Sequence, residues 1–221
     1  MILSRTTNRI VWAAVLALIA LLAMQTRDQL LTIFAGVGTL EARVVAEEDT
    51  LILNWHGTVD APMAERIADA FAKNKSRASK VVLSLSSPGG SLDHGAKVVR
   101  LLRDMRRTHT LETVVEGRRI CASMCVPVFL QGEQRLAAPN ARFMFHEVSF
   151  RESLSDEALP VPARATQRAT DSVFRRYFES AGVPDAWIRT VHQNMAGGRD
   201  VWKTARELMA EKAGIVQRLL N

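Results

Sequence analysis

Short apolar runs alternate with helical patterns along the chain from residue 40 onward. Runs rich in Val, Ile, Leu and Phe predict buried strands at 50–55, 80–85, 111–115 and 141–145. Apolar residues spaced three or four apart predict helices after Pro62 and after the Pro88–Gly89–Gly90 turn, over 163–180 and 185–195, and a last helix ending near Gly214. This alternation with short links predicts an α/β fold with right-handed crossovers.

The N-terminus carries a separate apolar pattern that does not belong to the folded domain. Residues 10–24 contain no charge and follow Arg5 and Arg9. As a helix rising about 1.5 Å per residue, this run would span roughly 22 Å, somewhat less than a hydrocarbon core of about 30 Å. A cleaved secretory signal has a similar length, but Leu21 stands two positions before Ala23, where a cleavage site prefers a small residue. We therefore favour an uncleaved signal anchor, with a secreted, cleaved form as the alternative.

These patterns divide the chain into three segments: a transmembrane segment over 1–28, a juxtamembrane linker over 29–49 and an α/β domain over 50–221. Arginines that flank an apolar segment remain on the cytoplasmic side, which places the domain on the other side of the membrane. In a bacterium, the chain would be a single-pass inner-membrane protein with a periplasmic domain.

Composition narrows the classes of partner. The 221 residues are 48% hydrophobic, with a net charge of +6 and a pI near 9.9. The basic residues are scattered and lack interleaved aromatic residues, so we expect no nucleic-acid binding, and anionic lipid headgroups are a second use of the charge. Two cysteines and five histidines show no metal-binding spacing, so we expect neither a metal nor another cofactor.

Three short motifs carry candidate chemistry: SSPGGS at 86–91, ICASMC at 120–125 and NARFMFH at 140–146. Each has a structural alternative, respectively a tight turn, a buried small residue and a packed strand end. In the functional interpretation, the glycine turn lets a backbone amide point at a developing oxyanion. Ser123 would stand at a strand-to-helix junction, and the amide of Met124 would be the second donor.

His146 is the best candidate for a general base. In strand geometry Phe143 and Phe145 share one face, while Met144 and His146 share the other. The histidine can therefore reach a site at the edge of the sheet while its neighbours stay packed. Histidine is the side chain that performs this role most often.

The acid that would orient the histidine is harder to assign. Asp200 follows two glycines, and its structural alternative is a helix N-cap. However, Thr204 and Glu207 form a capping-box pattern, which starts the last helix at Thr204 and leaves Asp200 on a loop. Asp171 and Asp185 remain alternatives on spacing alone.

Taken in order, these segments resemble the ClpP serine peptidases of the ClpP/crotonase superfamily, in a membrane-anchored or periplasmic bacterial branch. The matching stretches are LSLSSPGGSLDHGAKVV, CASMCVPVFLQG and RLAAPNARFMFHE, with GRDVWKTARELMAEKAGIV as a weaker fourth. The similarity extends over about 50–217 and is firmest over 80–147. It implies a ClpP/crotonase-like α/β spiral of repeated β-β-α units.

The resemblance also implies roles for five residues. The serine of the Ala-Ser-Met segment, Ser123, corresponds to the nucleophile of the family, and His146 to its histidine. Asp200, ahead of the last capping box, corresponds to the aspartate of the triad. The backbone amides of Gly90 and Met124 correspond to the two oxyanion donors.

Several residues depart from the pattern of the family. Cys121 and Cys125 replace small residues beside the serine. In an oxidising compartment they are candidates for a disulfide, although four-residue spacing on a regular helix suits one poorly, and two buried free thiols are the alternative. Glu147 and Val148 stand where the family has Gln-Pro. The resemblance implies a homo-oligomer. A membrane segment replaces the N-terminal axial loop, so we expect no docking to an ATP-driven unfoldase.

The predicted function is therefore that of a membrane-anchored, extracytoplasmic serine endopeptidase, which hydrolyses polypeptides or peptides without ATP. Two other interpretations remain open. A serine–lysine peptidase of the signal-peptide-peptidase type belongs to the same superfamily. A non-catalytic binding or scaffold module would retain the fold without the chemistry.

Overall fold

Nine strands form two β-sheets in the residues that the computed structural model describes, 38–149 and 163–220. The strands are β1 (Thr39–Val45), β2 (Thr50–His56), β3 (Lys80–Ser86), β4 (Thr110–Val115), β5 (Ile120–Ala122), β6 (Gln134–Ala137), β7 (Arg142–Phe145), β8 (Val201–Thr204) and β9 (Arg218–Leu219). The α-helices are α1 (Met63–Asn74), α2 (Leu92–Met105), α3 (Cys125–Phe129), α4 (Ala163–Val173), α5 (Asp185–Met195) and α6 (Ala205–Ala210). A 3-10 turn, Ala46–Glu48, precedes β2, and a π-helical turn, Phe174–Phe178, and a 3-10 turn, Glu179–Ala181, continue α4.

The larger sheet has six strands in the order β1-β2-β3-β4-β6-β9, and all of its pairings except β1 with β2 are parallel. Its central strands bury alternate residues, as Val81, Leu83 and Leu85 of β3 show. Helices α1 and α2 add their apolar residues, such as Ile67 and Leu102, to the same core. The α/β prediction is confirmed, because the strands predicted from apolar runs and the helices predicted between them are present.

The smaller sheet positions the candidate chemistry. It has three strands in the order β5-β7-β8, with β5 parallel to β7 and β8 antiparallel to β7. Ala122, the last residue of β5, lies opposite Met144 in β7. Parallel strands end at the same edge of a sheet, so the residues that follow β5 and β7 emerge side by side. Those residues include Ser123 and His146.

The first strand falls within the segment predicted as a linker. All seven residues of β1 pair antiparallel with β2, from Thr39 opposite His56 to Val45 opposite Thr50. The apolar pattern did not reveal this strand because β1 is an edge strand whose residues are exposed or only partly buried. The folded unit that the structure describes therefore begins near Gly38, ahead of the predicted boundary at 50.

The C-terminal region agrees with the prediction at its start and differs at its end. Thr204 caps α6, with reciprocal hydrogen bonds to Glu207 that form the predicted capping box. The helix ends at Ala210 and not near Gly214. Strands β8 and β9, of four and two residues, were not predicted because neither carries a continuous apolar run.

The predicted membrane anchor, 1–28, lies outside the described residues. Among residues 38–149 and 163–220, no helix is both long enough and apolar enough to span a bilayer.

Candidate active site

Ser123 occupies a sharp turn between β5 and α3, the junction expected from the sequence. Its φ is +52°, in the left-handed region that residues other than glycine rarely adopt. Holding a residue in this region costs about 1–3 kcal/mol. Two backbone hydrogen bonds restrain the strand side of this turn. The Ser123 N–H donates to the Met144 carbonyl at 2.9 Å, and the Ala122 N–H donates to the Ser87 carbonyl at 3.0 Å. Residues strained in this way cluster at active sites, which makes Ser123 a candidate functional residue.

His146 follows β7 directly and faces the serine. The Nε2 of His146 lies 2.8 Å from the Oγ of Ser123, and both side chains are half-buried. A hydroxyl at hydrogen-bond distance from an imidazole is the arrangement that lets histidine take the serine proton. The structure thus brings together the two residues that the sequence places 23 positions apart.

The glycine turn ahead of α2 packs directly against Ser123. Gly89 has a φ of +98°, and a Cβ at this position would lie 2.6 Å from the Cβ of Ser123, so only glycine fits there. The Gly89 N–H donates to the buried Oγ of Ser87 at 3.1 Å, which fixes the turn. The N–H groups of Gly90 and Met124 donate to no acceptor in the described part of the chain. Both residues border the cavity beside Ser123, and their amides are available to an oxyanion.

A disulfide joins Cys121 to Cys125, which is one of the two states that the sequence leaves open. The obstacle expected from helical spacing does not arise, because Cys121 lies in β5 and Cys125 begins α3. The turn at Ser123 brings the two Cα atoms to 5.2 Å, within the usual range for a disulfide. Both cysteines are fully buried.

Asp200 lies on the loop that precedes β8, exposed to solvent. No hydrogen bond or ion pair joins it to His146 or to any other residue in the described ranges. The loop is nevertheless tied to the site, because the Gly198 N–H donates to the Oε2 of Glu147 at 3.1 Å, and Glu147 follows His146. Asp200 as the third member of a triad stays a prediction.

The two alternative acids are Asp171 and Asp185. Within the described residues, neither makes a hydrogen bond or an ion pair to His146. The Oδ1 of Asp171 lies 3.5 Å from the Nδ1 of His192, so this carboxylate already has a histidine partner. Burial lowers the pKa of His192, and the charges of Asp171 and Glu147 oppose that shift. Asp185 stands exposed in the first turn of α5.

We expect Asp200→Asn to lower kcat for peptide hydrolysis by about 10³-fold or more, because an unoriented imidazole rarely presents the correct tautomer to serine. Steady-state hydrolysis by the full-length protein is the measurement. Asp185→Asn is the matched control, and we expect it to retain wild-type rates. A larger loss in Asp171→Asn than in Asp200→Asn would assign the orienting role to Asp171.

An apolar cavity opens beside Ser123 and His146. Its apolar wall residues are Leu92, Met124, Pro127, Met144, Phe145, Val148, Val173, Phe174 and Phe178. Phe174 and Phe178 stack with their ring centroids 4.2 Å apart. They are the first and last residues of the π-helical turn, and π-helical turns are rare and often mark functional sites. Phe174 and Phe178 were not predicted as site residues from the sequence. The available signal was the aromatic run FRRYF at 174–178, inside a segment predicted as an ordinary helix.

Comparison with known proteins identifies the family to which the chain is similar. The family model described as Clp protease matches residues 42–221. The ATP-dependent Clp protease proteolytic subunit 1 of Chlamydia caviae is 29% identical over 142 residues, which cover 63% of this chain and 70% of that protein. The proteolytic subunit 3 of Rhizobium meliloti is 24% identical over 167 residues, covering 75% and 81% of the two chains.

A solved structure matches the fold. A mutant ClpP1 from Listeria monocytogenes superposes with a TM-score of 0.58 over 80% of this chain and 93% of that chain, at 19% identity. The predicted ClpP-like α/β fold is thereby confirmed.

Proposed function

This chain belongs to the Clp protease family and is a serine-type endopeptidase, and we propose that it acts as a membrane-anchored, extracytoplasmic enzyme that needs no ATP. In this proposal Ser123, His146 and Asp200 form the triad, and the amides of Gly90 and Met124 form the oxyanion hole. The observation that carries it is the 2.8 Å contact between the Ser123 Oγ and the His146 Nε2, beside two amides that have no acceptor among the described residues.

The proposed reaction proceeds in two steps. In the first, the Ser123 Oγ attacks the carbonyl carbon of the scissile peptide while His146 takes its proton. The carbonyl oxygen becomes an oxyanion that accepts hydrogen bonds from Gly90 and Met124. His146 then gives the proton to the leaving amine as the C–N bond breaks. In the second step, water activated by His146 releases the acyl group from Ser123.

The cavity beside Ser123 supports a preference for substrates with an apolar side chain at the residue whose carbonyl is attacked. The rings of Phe174 and Phe178 and the side chain of Val173 form much of its wall. A charged side chain would lose its hydration against these groups without gaining a partner. Members of the family act on peptide substrates and form homo-oligomers, and we propose both for this chain.

The contact between Ser123 and His146 also weighs against a serine–lysine mechanism. None of the described residues that line the cavity around Ser123 is a lysine. The His146 Nε2 already lies within hydrogen-bond distance of the Ser123 Oγ. A lysine base would have to displace it.

Two features support the extracytoplasmic location. The uncharged run at 10–24 follows Arg5 and Arg9, the arrangement of a signal anchor with its arginines in the cytoplasm. The disulfide between Cys121 and Cys125 suits an oxidising compartment, since disulfides are rare where cellular reductants keep thiols reduced. A domain outside the cytoplasm has no access to cytoplasmic ATP, which supports an ATP-independent enzyme.

A membrane-impermeant fluorophosphonate applied to intact bacterial spheroplasts tests reactivity and location together. We expect it to label the full-length wild type without ATP and to leave Ser123→Ala unlabelled, since only an activated serine outside the inner membrane can react. Labelling that appears only after lysis would contradict the location. Absence of labelling both before and after lysis would contradict the serine mechanism.

A further inference from the structure

The nucleophilic serine is enclosed in a small covalent ring. The disulfide between Cys121 and Cys125 closes around the residues Ala122, Ser123 and Met124, with Ser123 at its centre. One sulfur belongs to a strand and the other to the first residue of a helix, so the bridge ties β5 to α3 across the turn.

The local sequence does little to hold this turn. Ser123 is in the left-handed region at a φ of +52°, where serine has no intrinsic preference to be. Helix α3 has only five residues, and no side chain of the described residues caps its start. A helix of this length is not stable by itself, because its few hydrogen bonds cannot offset the entropy lost on forming it.

The other restraints on the turn are unequally distributed. On the strand side, the N–H groups of Ala122 and Ser123 donate to carbonyls of neighbouring segments. On the helix side, the Val126 N–H donates to the Ser123 carbonyl at 3.0 Å, which is a bond within the turn itself. The far end of α3 is held separately, by the Thr113 hydroxyl, which donates to the Phe129 carbonyl at 2.7 Å. Apart from the packing of buried side chains, the disulfide is therefore what joins the start of the helix to the small sheet.

We propose that Cys121 and Cys125 are positioning residues, whose disulfide keeps the Ser123 Oγ at the His146 Nε2. The proposal rests on the assignment of Ser123 as the nucleophile. With the bridge open, Ser123 relaxes from the left-handed region and its Oγ leaves the histidine. The apolar cavity that holds the substrate is formed largely by residues outside the ring, so substrate binding changes little.

The redox step has a simple balance. Forming the bridge removes one proton from each thiol and transfers two electrons to an oxidant, here a disulfide-bearing protein of an oxidising compartment, which becomes a dithiol. A dithiol reductant reverses the reaction. Because both cysteines are fully buried, thiol–disulfide exchange requires local opening of the turn. The bridge therefore forms as the protein folds.

The test compares oxidised and reduced wild-type protein, full-length and in detergent micelles. The reduced form is prepared by incubating the same protein with a dithiol reductant until thiol alkylation shows that both cysteines are free. We expect reduction to lower kcat and the rate of fluorophosphonate labelling ten- to a hundredfold, while KM stays within about twofold, as for a misplaced nucleophile. Reoxidation should restore both rates. The double variant Cys121→Ser/Cys125→Ser should behave as the reduced form.

Controls separate positioning from general stability. Val81→Ala removes buried atoms from β3, away from the site, and should lower the melting temperature without slowing labelling. Equal labelling rates in the oxidised and reduced wild type would overturn the proposal. This comparison tests the proposal even if the double variant does not fold. No labelling of the oxidised protein would instead contradict the role of Ser123.

Discussion

Ser123→Ala is expected to reduce peptide hydrolysis by about 10⁵-fold or more, with the fold retained. The Oγ of Ser123 is the atom that lies 2.8 Å from His146, and alanine removes it while leaving the backbone of the turn unchanged. Hydrolysis of a peptide with an apolar residue before the scissile bond is the measurement, made with the full-length protein in detergent. Fluorophosphonate labelling of the same preparation should vanish.

A matched serine variant provides the control. Ser84, on β3, makes a single long side-chain hydrogen bond to Glu116 among the described residues and lies outside the cavity. Ser84→Ala should therefore keep the rate and the labelling of the wild type. Hydrolysis that survives in Ser123→Ala but is lost in another serine variant would move the nucleophile elsewhere.

His146→Gln is expected to cause a loss of similar size, about 10⁵-fold in kcat. Glutamine is close to histidine in size and still forms hydrogen bonds, but it cannot accept and return a proton during the reaction. The measurement is the pre-steady-state rate of acylation by an activated ester, because this step isolates attack by Ser123. The His146→Gln variant should also react with fluorophosphonate as slowly as it forms the acyl-enzyme.

A histidine at the opposite end of the large sheet is the control. His109 follows α2 and lies at hydrogen-bond distance from the Lys75 carbonyl and the Thr108 hydroxyl, contacts that a glutamine can replace. His109→Gln should acylate at the wild-type rate. If His146→Gln lowers the melting temperature but leaves acylation unchanged, the histidine has a structural role and no part in proton transfer.

Only the centre of the large sheet was predictable, because strands β2, β3 and β4 carry continuous apolar runs. Strands β2, β3 and β4 are buried between neighbours, so their apolar residues dominate the local pattern. Strands β1, β8 and β9 are exposed, short or both, and their formation depends on a neighbour already in place. Pairing of this kind is not encoded in local hydropathy.

The candidate site was predictable in its parts and not in its geometry. Motif order indicated Ser123 and His146, but the left-handed turn and the parallel pairing of β5 with β7 depend on tertiary structure. The disulfide was undecided for the same reason, since its distance depends on that turn. The aromatic cavity wall comes from a segment much further along the chain, with no motif of its own.

The pairing of β5 with β7 has a consequence for how this enzyme can vary. The nucleophile and the base each directly follow one of two adjacent strands, so their separation is inherited from the spacing between strands. Because side chains alternate between the faces of a strand, one residue inserted into or deleted from β7 would turn His146 to the opposite face. Substitutions on these strands are tolerable wherever the packing permits. Strand length, by contrast, is the quantity that selection must conserve.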